Sequence, residues 1–255
     1  MKITEDLLLA YYGMKTALKA AANRLLAPFG FRLVRSNENN LYFSLLTRIL
    51  EKQGRVSFIQ IGANDGKSFD PLFQFLTLYK REVTGYALEP LPDLFAQLQK
   101  TYRVFPKVKS LQIAIHATAA EAVIYRVDPK RLKELPPWAK GIASFDEGHH
   151  RKSGIADEFI IREPVPCMSL MALLAEHNIS ELDLLQIDTE GYDAEIIGQI
   201  DFTRTKPALI KFETGFDYSI MPEEVFGGIK VRLQNEGYEF FQEAADVIAY
   251  RKEAF

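Results

Sequence analysis

A single cysteine, Cys167, stands in the 255 residues, so no internal disulfide forms and no CxxC metal or redox motif exists. Long hydrophobic runs are missing too, and nothing approaches the ~18 consecutive apolar residues of a membrane span. The start of the chain has no export pattern. Glu5 and Asp6 precede only a short apolar run, Leu7 to Ala10, and Lys15, Lys19 and Arg24 follow closely. These absences predict a protein that stays in the reducing cytoplasm where it is made. Nor is there an excess of positive charge: 31 Lys and Arg against 34 Asp and Glu leave a net −3, which argues against a broad nucleic-acid-binding surface. Internal repeats and low-complexity tracts are absent. What is present is ordinary globular composition, 47% hydrophobic and 25% charged, over a length that suits one large α/β domain with additions.

Residues 5–27 have helical spacing, with Leu7, Leu8, Tyr11, Met14, Leu18, Leu25 and Leu26 on one stripe and Pro28 and Gly30 as the stop. Residues 1–40 therefore read as an N-terminal helical extension and linker. The stripe suits packing on the domain, self-association, or peripheral contact with the inner face of a membrane. From 41 to 255 the pattern is a domain that opens with a helix near Leu41 to Lys52. Strands are expected at Val56–Ile61, Gly85–Leu88, Ser110–Ile115 and, beside that one, Glu121–Val127; further strands are expected at Leu182–Ile187 and Pro207–Phe212, with helices at 93–102, 168–177, 194–200 and up to Glu236. This alternation predicts a mainly parallel sheet with helices on both faces. The last two strands, 238–242 and 247–251, are joined by so few residues that they must be antiparallel. Residues 128–162, with Pro129, Pro136, Pro137, Trp138, Gly141, His149, His150 and Gly154, break the alternation. They read as an insertion facing the substrate. Trp138 there would stack on a sugar or anchor the loop.

Three segments point to chemistry. In FIQIGANDG (58–66) a buried strand breaks at Gly62 and turns through Asn64 and Gly66, residue types that accept positive φ and let backbone approach a ligand. The spacing lacks the third glycine of the dinucleotide fingerprint. Glu89 follows at the end of the next strand, where an acidic residue commonly holds ribose hydroxyls. LLQIDTEGYD (184–193) then crowds three carboxylates at the carboxyl end of a central strand, the edge at which open α/β sheets bind ligands. Like charges there raise a pKa and favour a base. The plainer readings are a glycine turn, a solvated glutamate and helix capping by Asp188 or Asp193. A metal set of Asp188, Glu190 and Glu213 is a further option.

Together, FIQIGANDG, GYALEP (85–90), LLQIDTEGYDAEII (184–197) and ALIKFE (208–213) resemble the FkbM family of S-adenosylmethionine-dependent methyltransferases over about 41–252. The chain departs from that family's common pattern at Gln60 and Gln186, where many members carry Asp and Lys. The resemblance implies a Rossmann-like class I methyltransferase sheet, S-adenosylmethionine as cofactor, and O-methyl transfer to a hydroxyl, often of a sugar in a glycan, lipopolysaccharide, glycolipid or natural product. Gln60, Gly62, Ala63, Asn64, Asp65 and Gly66 would line the cofactor's amino-acid side, Glu89 and Pro90 its ribose, and Ala114 with Ile115 its adenine. Asp188 is the first candidate base, then Glu190, then His149 and His150. A nucleotide-dependent oxidoreductase and a catalytically silent binding module on the same fold are the alternatives.

Overall fold

The computed structural model describes residues 41–68, 70–215 and 219–255; the helix expected over 5–27 and the linker after it lie outside them. Helix α1 (Leu41–Gln53) buries Tyr42, Phe43, Leu45, Leu46 and Ile49 on one face, the three-and-four spacing of an amphipathic helix. Strand β1 (Val56–Ile61), helix α2 (Pro71–Leu78), β2 (Val83–Leu88), α3 (Pro92–Tyr102) and β3 (Val108–Leu111) form the first half of the main sheet. After an excursion the chain returns with α5 (Leu170–Glu176), β8 (Leu184–Ile187), α6 (Asp193–Gly198), β9 (Leu209–Glu213), α7 (Glu223–Asn235), β10 (Tyr238–Glu243) and β11 (Asp246–Arg251).

The seven strands lie in the order β10-β11-β9-β8-β1-β2-β3. β3, β2, β1, β8 and β9 are parallel; β11 runs antiparallel to β9, and β10 at the edge runs antiparallel to β11, as their short connection requires. The chain winds outward from β1 to β3, then crosses back to β8 beside β1. That reversal opens a crevice at the strands' carboxyl ends. Because side chains alternate across a strand, the sheet feeds two cores. Ile59, Ile61, Leu185, Ile187 and Ile210 pack under α5, α6 and α7. Phe58, Val83, Leu184 and Leu209 pack under α1, α2 and α3.

The excursion departs from the sequence expectation. The run from Ser110 to Ile115 is two strands: β3 ends at Leu111, and β4 (Ala114–Ile115) pairs with another sheet. β5 (Glu121–Val127) does not lie beside β3. It joins β4, β6 (Ala143–Ser144) and the nine-residue β7 (Ile160–Met168) in a four-stranded sheet of order β4-β7-β5-β6. β7 escapes pattern reading because Pro164 and Pro166 interrupt it. Opposite them β5 supplies one neighbour, whereas β4 pairs only at Cys167 and Met168. Residues without an N–H are tolerated where one edge is unpaired. Between β5 and β7 the insertion is ordered into 3₁₀ turns and one short helix, α4 (His149–Lys152). No helix among the described residues is long and apolar enough to cross a membrane.

Candidate functional site

The crevice is the mouth of a cavity of about 650 Å³ whose lining includes Gly62, Ala63, Asn64, Glu89, Pro90, Ala114, Ile115, Asp188, Glu190 and Glu213. That volume is ordinary for a small-molecule site. The turn after β1 is built for close approach. Gly62 has φ +79°, and a Cβ there would sit 1.8 Å from the Asp188 carbonyl oxygen, so only glycine lets β1 and β8 end side by side. Asn64 follows with φ 51°. Glu89, buried at the end of β2, accepts the Asn64 N–H at 2.9 Å and the Leu91 N–H at 3.0 Å, and so ties the turn to the neighbouring strand. Burial pushes its carboxyl up to about 7, against the pull of those two bonds.

Not every residue of this segment faces the cavity. The Gly66 φ of +77° matters for packing: a Cβ there would meet Leu98 and Tyr102 of α3 at 2.7 Å. Asp65 turns away as well. Its carboxylate accepts from the backbone of Lys67 and Ser68, from Ser68 Oγ at 2.6 Å and from Lys140 Nζ at 2.7 Å. Burial opposes ionisation there, but these donors hold the carboxyl down to about 2. Gln60 does border the cavity, yet both ends of its amide are engaged: Nε2 donates to Asp70 at 2.9 Å and Oε1 accepts from Tyr102 at 2.9 Å. Gln186 is its register partner on β8, donating to Asp70 at 3.1 Å and accepting from Tyr42 at 2.6 Å. Asp70, the N-cap of α2, is thus the acceptor shared by both amides.

Beyond β8 the carboxylates divide by role. Asp193 is fully buried and structural: it accepts the Thr189 N–H at 3.0 Å, the Thr189 hydroxyl, and the Glu213 N–H at 2.9 Å, locking the turn to β9. Asp188, the residue after β8, is exposed and lines the cavity. Desolvation, then the charges of Glu190 and Asp193, raise it to about 8. Glu213 at the end of β9 is lifted to about 9 by desolvation, Asp188 and Glu190. Asp188, Glu190 and Glu213 each offer an oxygen within 4.8 Å of the others, a set that a hard cation could bridge.

Glu190 reaches this cluster from a turn rather than by strand alternation, since β8 ends at Ile187 and Glu190 has φ 54°. Positive φ at a non-glycine residue persists where surroundings fix it. Here Ser144 Oγ donates to the Glu190 carbonyl at 2.7 Å, and His149 Nε2 meets its carboxylate at 2.8 Å. The two histidines are buried on α4, not exposed on a loop. His149 points at Glu190. His150 points the other way, to Asp157 at 2.9 Å, outside the cavity. That removes His150 from the candidate bases. Residues missed by sequence reasoning are Lys211, which lines the cavity and pairs with Asp246 at 2.6 Å, and the β10–β11 turn at Ala244 and Ala245.

The insertion forms a wall of the cavity through Trp138, Gly141, Ile142, Ala143, Phe145 and Ser153. Lys140 holds it to the β1 turn, donating to Asp65 and, at 2.9 Å, to Ser68.

A family model described as the methyltransferase FkbM domain matches residues 60–240. Among solved structures the chain is similar to an O-methyltransferase from Bacillus cereus in complex with SAH, at 9% identity and TM-score 0.42, covering 94% of this chain and 91% of that one. It is also similar to the METTL16 methyltransferase domain, at 13% and 0.43, covering 92% and 94%. A third is the Aeropyrum pernix fibrillarin with natively bound S-adenosyl-L-methionine, at 11% and 0.38, covering 82% and 73%. No curated protein matches the sequence.

Proposed function

The chain belongs to the FkbM methyltransferase family, S-adenosylmethionine-dependent enzymes on a Rossmann-like sheet, and on that premise we propose that it methylates a hydroxyl of a sugar-containing acceptor, with Asp188 as the base. Membership sets aside the oxidoreductase alternative. The observation that carries the reading is a single cavity joining the β1 turn and Glu89 to the carboxylates of Asp188, Glu190 and Glu213.

The residues fit the cofactor. Glu89 offers a buried carboxylate for a ribose diol, the Gly62–Asn64 turn offers close backbone, and Leu91, Leu94, Ala114, Ile115 and Ile124 form an apolar slot for adenine. When bound, S-adenosylmethionine supplies an electrophilic methyl group whose bond to sulfur breaks toward sulfur as the acceptor oxygen bonds to carbon. The chain's task is to align that oxygen and remove its proton. Asp188 suits the second part: a carboxyl raised to about 8 is a stronger base, once ionised, than an ordinary aspartate. Glu190, fixed by His149, orients the acceptor hydroxyl beside it.

The test is Asp188→Asn, which keeps size and loses basicity. Methyl transfer, read as a 14-dalton gain on glycans extracted from the host, should fall by about 10²–10⁴-fold while cofactor binding persists. Wild-type rate should climb as pH rises through about 8. Near-normal turnover in the variant would pass the role to Glu190 and His149. A parallel arm with EDTA reports whether the three carboxylates hold a cation in turnover.

A further inference from the structure

The half of the cavity beyond the adenine and ribose residues is acidic. Asp188, Glu190, Glu213 and Asp246 line it, and the one cation in the lining, Lys211, is already paired with Asp246. Lys140 lies nearby but spends its ammonium on Asp65 and Ser68. Among the described residues, then, the wall offers several carboxylates and no cation without a carboxylate partner. An entering phosphate, sulfate or carboxylate would find no unpaired cation among the described lining residues and would face Glu190, joined by Asp188 and Glu213 as these ionise, at short range. Hydroxyl and ammonium groups, by contrast, are donors that carboxylates accept.

Trp138 adds a flat apolar face to this polar wall. It lines the cavity and is still 46% exposed, although its segment is well fixed. Pro136 and Pro137 precede it, Lys140 anchors the turn, and a Cβ on Gly141 would lie 3.8 Å from Asn64 Nδ2 and 4.0 Å from Glu190 Oε1. Among the described residues no other aromatic ring stacks on the indole. An open indole in the same cavity as these carboxylates matches the two sides of a pyranose, whose C–H face is apolar and whose rim carries hydroxyl donors.

We infer that this half of the cavity is a polyol subsite that rejects anions: an uncharged or amine-bearing sugar ring lies on Trp138 with hydroxyls toward Asp188, Glu190 and Glu213, and sugars with phosphate, sulfate or carboxylate beside the reacting hydroxyl are excluded. Exclusion by like charge is a specificity device in its own right. The inference rests on the sugar-hydroxyl reading above and narrows it to a charge class.

The experiment uses the full chain saturated with S-adenosylhomocysteine on an array of neutral, amino-bearing and acidic glycans, with Trp138→Ala and Trp138→Phe beside the wild type. Trp138 is the only tryptophan, so intrinsic fluorescence titrated with each bound glycan reports contact at this residue directly. Expected are wild-type binding confined to neutral and amino-bearing glycans, a loss of about tenfold or more in Trp138→Ala, recovery of most of it in Trp138→Phe, and unchanged S-adenosylhomocysteine affinity in both. Preferential binding of acidic glycans, or unchanged glycan binding in Trp138→Ala, would overturn the charge-class inference and leave the sugar reading standing. No binding to any glycan, with S-adenosylhomocysteine still bound, would overturn the sugar reading and this inference with it.

Discussion

Glu89→Gln is the sharpest perturbation of the cofactor half, because the wild-type carboxylate serves two buried backbone donors at once. It accepts from Asn64 at 2.9 Å and from Leu91 at 3.0 Å. Glutamine keeps one carbonyl oxygen and places an NH₂ where the second acceptor stood, so one N–H loses its partner. A hydrogen bond to a charged group is worth about 1.5–3 kcal/mol, and the loss falls on the turn that approaches the cofactor. At about 1.4 kcal/mol per decade, the Kd should rise roughly 10- to 150-fold. The pH dependence gives a second reading. Burial raises Glu89 to about 7, and only the ionised form accepts ribose hydroxyls through both oxygens. Wild-type affinity should therefore strengthen as pH rises from 6 to 8, by up to about tenfold per unit below the pKa. The variant should lack that component. Calorimetric titration with S-adenosylhomocysteine at pH 6, 7 and 8 measures both effects, and the difference between the proteins cancels titration of the ligand's own amine. Parallel pH profiles with equal Kd in a folded variant would refute the assignment of Glu89 to the ribose.

Two further outcomes follow from the same cluster and its wall. Asp188 and Glu213 are raised to about 8 and about 9, chiefly by desolvation, above the ordinary carboxylate range that applies in the unfolded chain. The folded state thus binds more protons across that interval, and stability falls as pH rises through it. The cofactor-free protein should melt lower at pH 8.5 than at pH 5.5, with the slope reduced in Asp188→Asn and Glu213→Gln; a melting temperature that climbs toward pH 8.5 would contradict this. Lys140→Met removes the ammonium that bonds Asp65 at 2.7 Å and Ser68 at 2.9 Å. Because Asp65 is buried, the substitution should cost about 1.5–3 kcal/mol in stability, the worth of a hydrogen bond to a charged group, and loosen the insertion, which limited proteolysis would reveal as faster cleavage within 128–159.

The main sheet was legible because its signals are local. β1 and β8 are short apolar runs ended by turn residues, and the tight link between β10 and β11 leaves only an antiparallel pairing. The smaller sheet was not, because partner choice is non-local. Nothing in Ser110–Ile115 marks that the chain leaves β2 at Leu111 and meets β7 at Ala114. In β7, Pro164 and Pro166 read as breakers until the unpaired edge beside them is seen.

The site divides along the same line. Gly62, Glu89 and Asp188 were legible because each closes a strand at one edge of one sheet. His149 and His150 looked equivalent in sequence, yet successive positions on a helical turn differ by about 100°, which sends one to Glu190 and the other to Asp157. The two departures from the family pattern, Gln60 and Gln186, also resolve into a single feature. They are register partners on adjacent strands and face the same layer as α1, α2 and α3. An acid and a lysine there would neutralise each other. Two amides need an outside acceptor for their N–H groups instead, and Asp70 serves both from the head of α2. Burial raises that carboxyl while the two amide bonds lower it, so the exchange moves the local acidity from the strand to the helix cap. Read one position at a time, each glutamine is a lost charge; read across the β1–β8 register, the pair with Asp70 is one hydrogen-bonded unit that fixes the floor of the cavity.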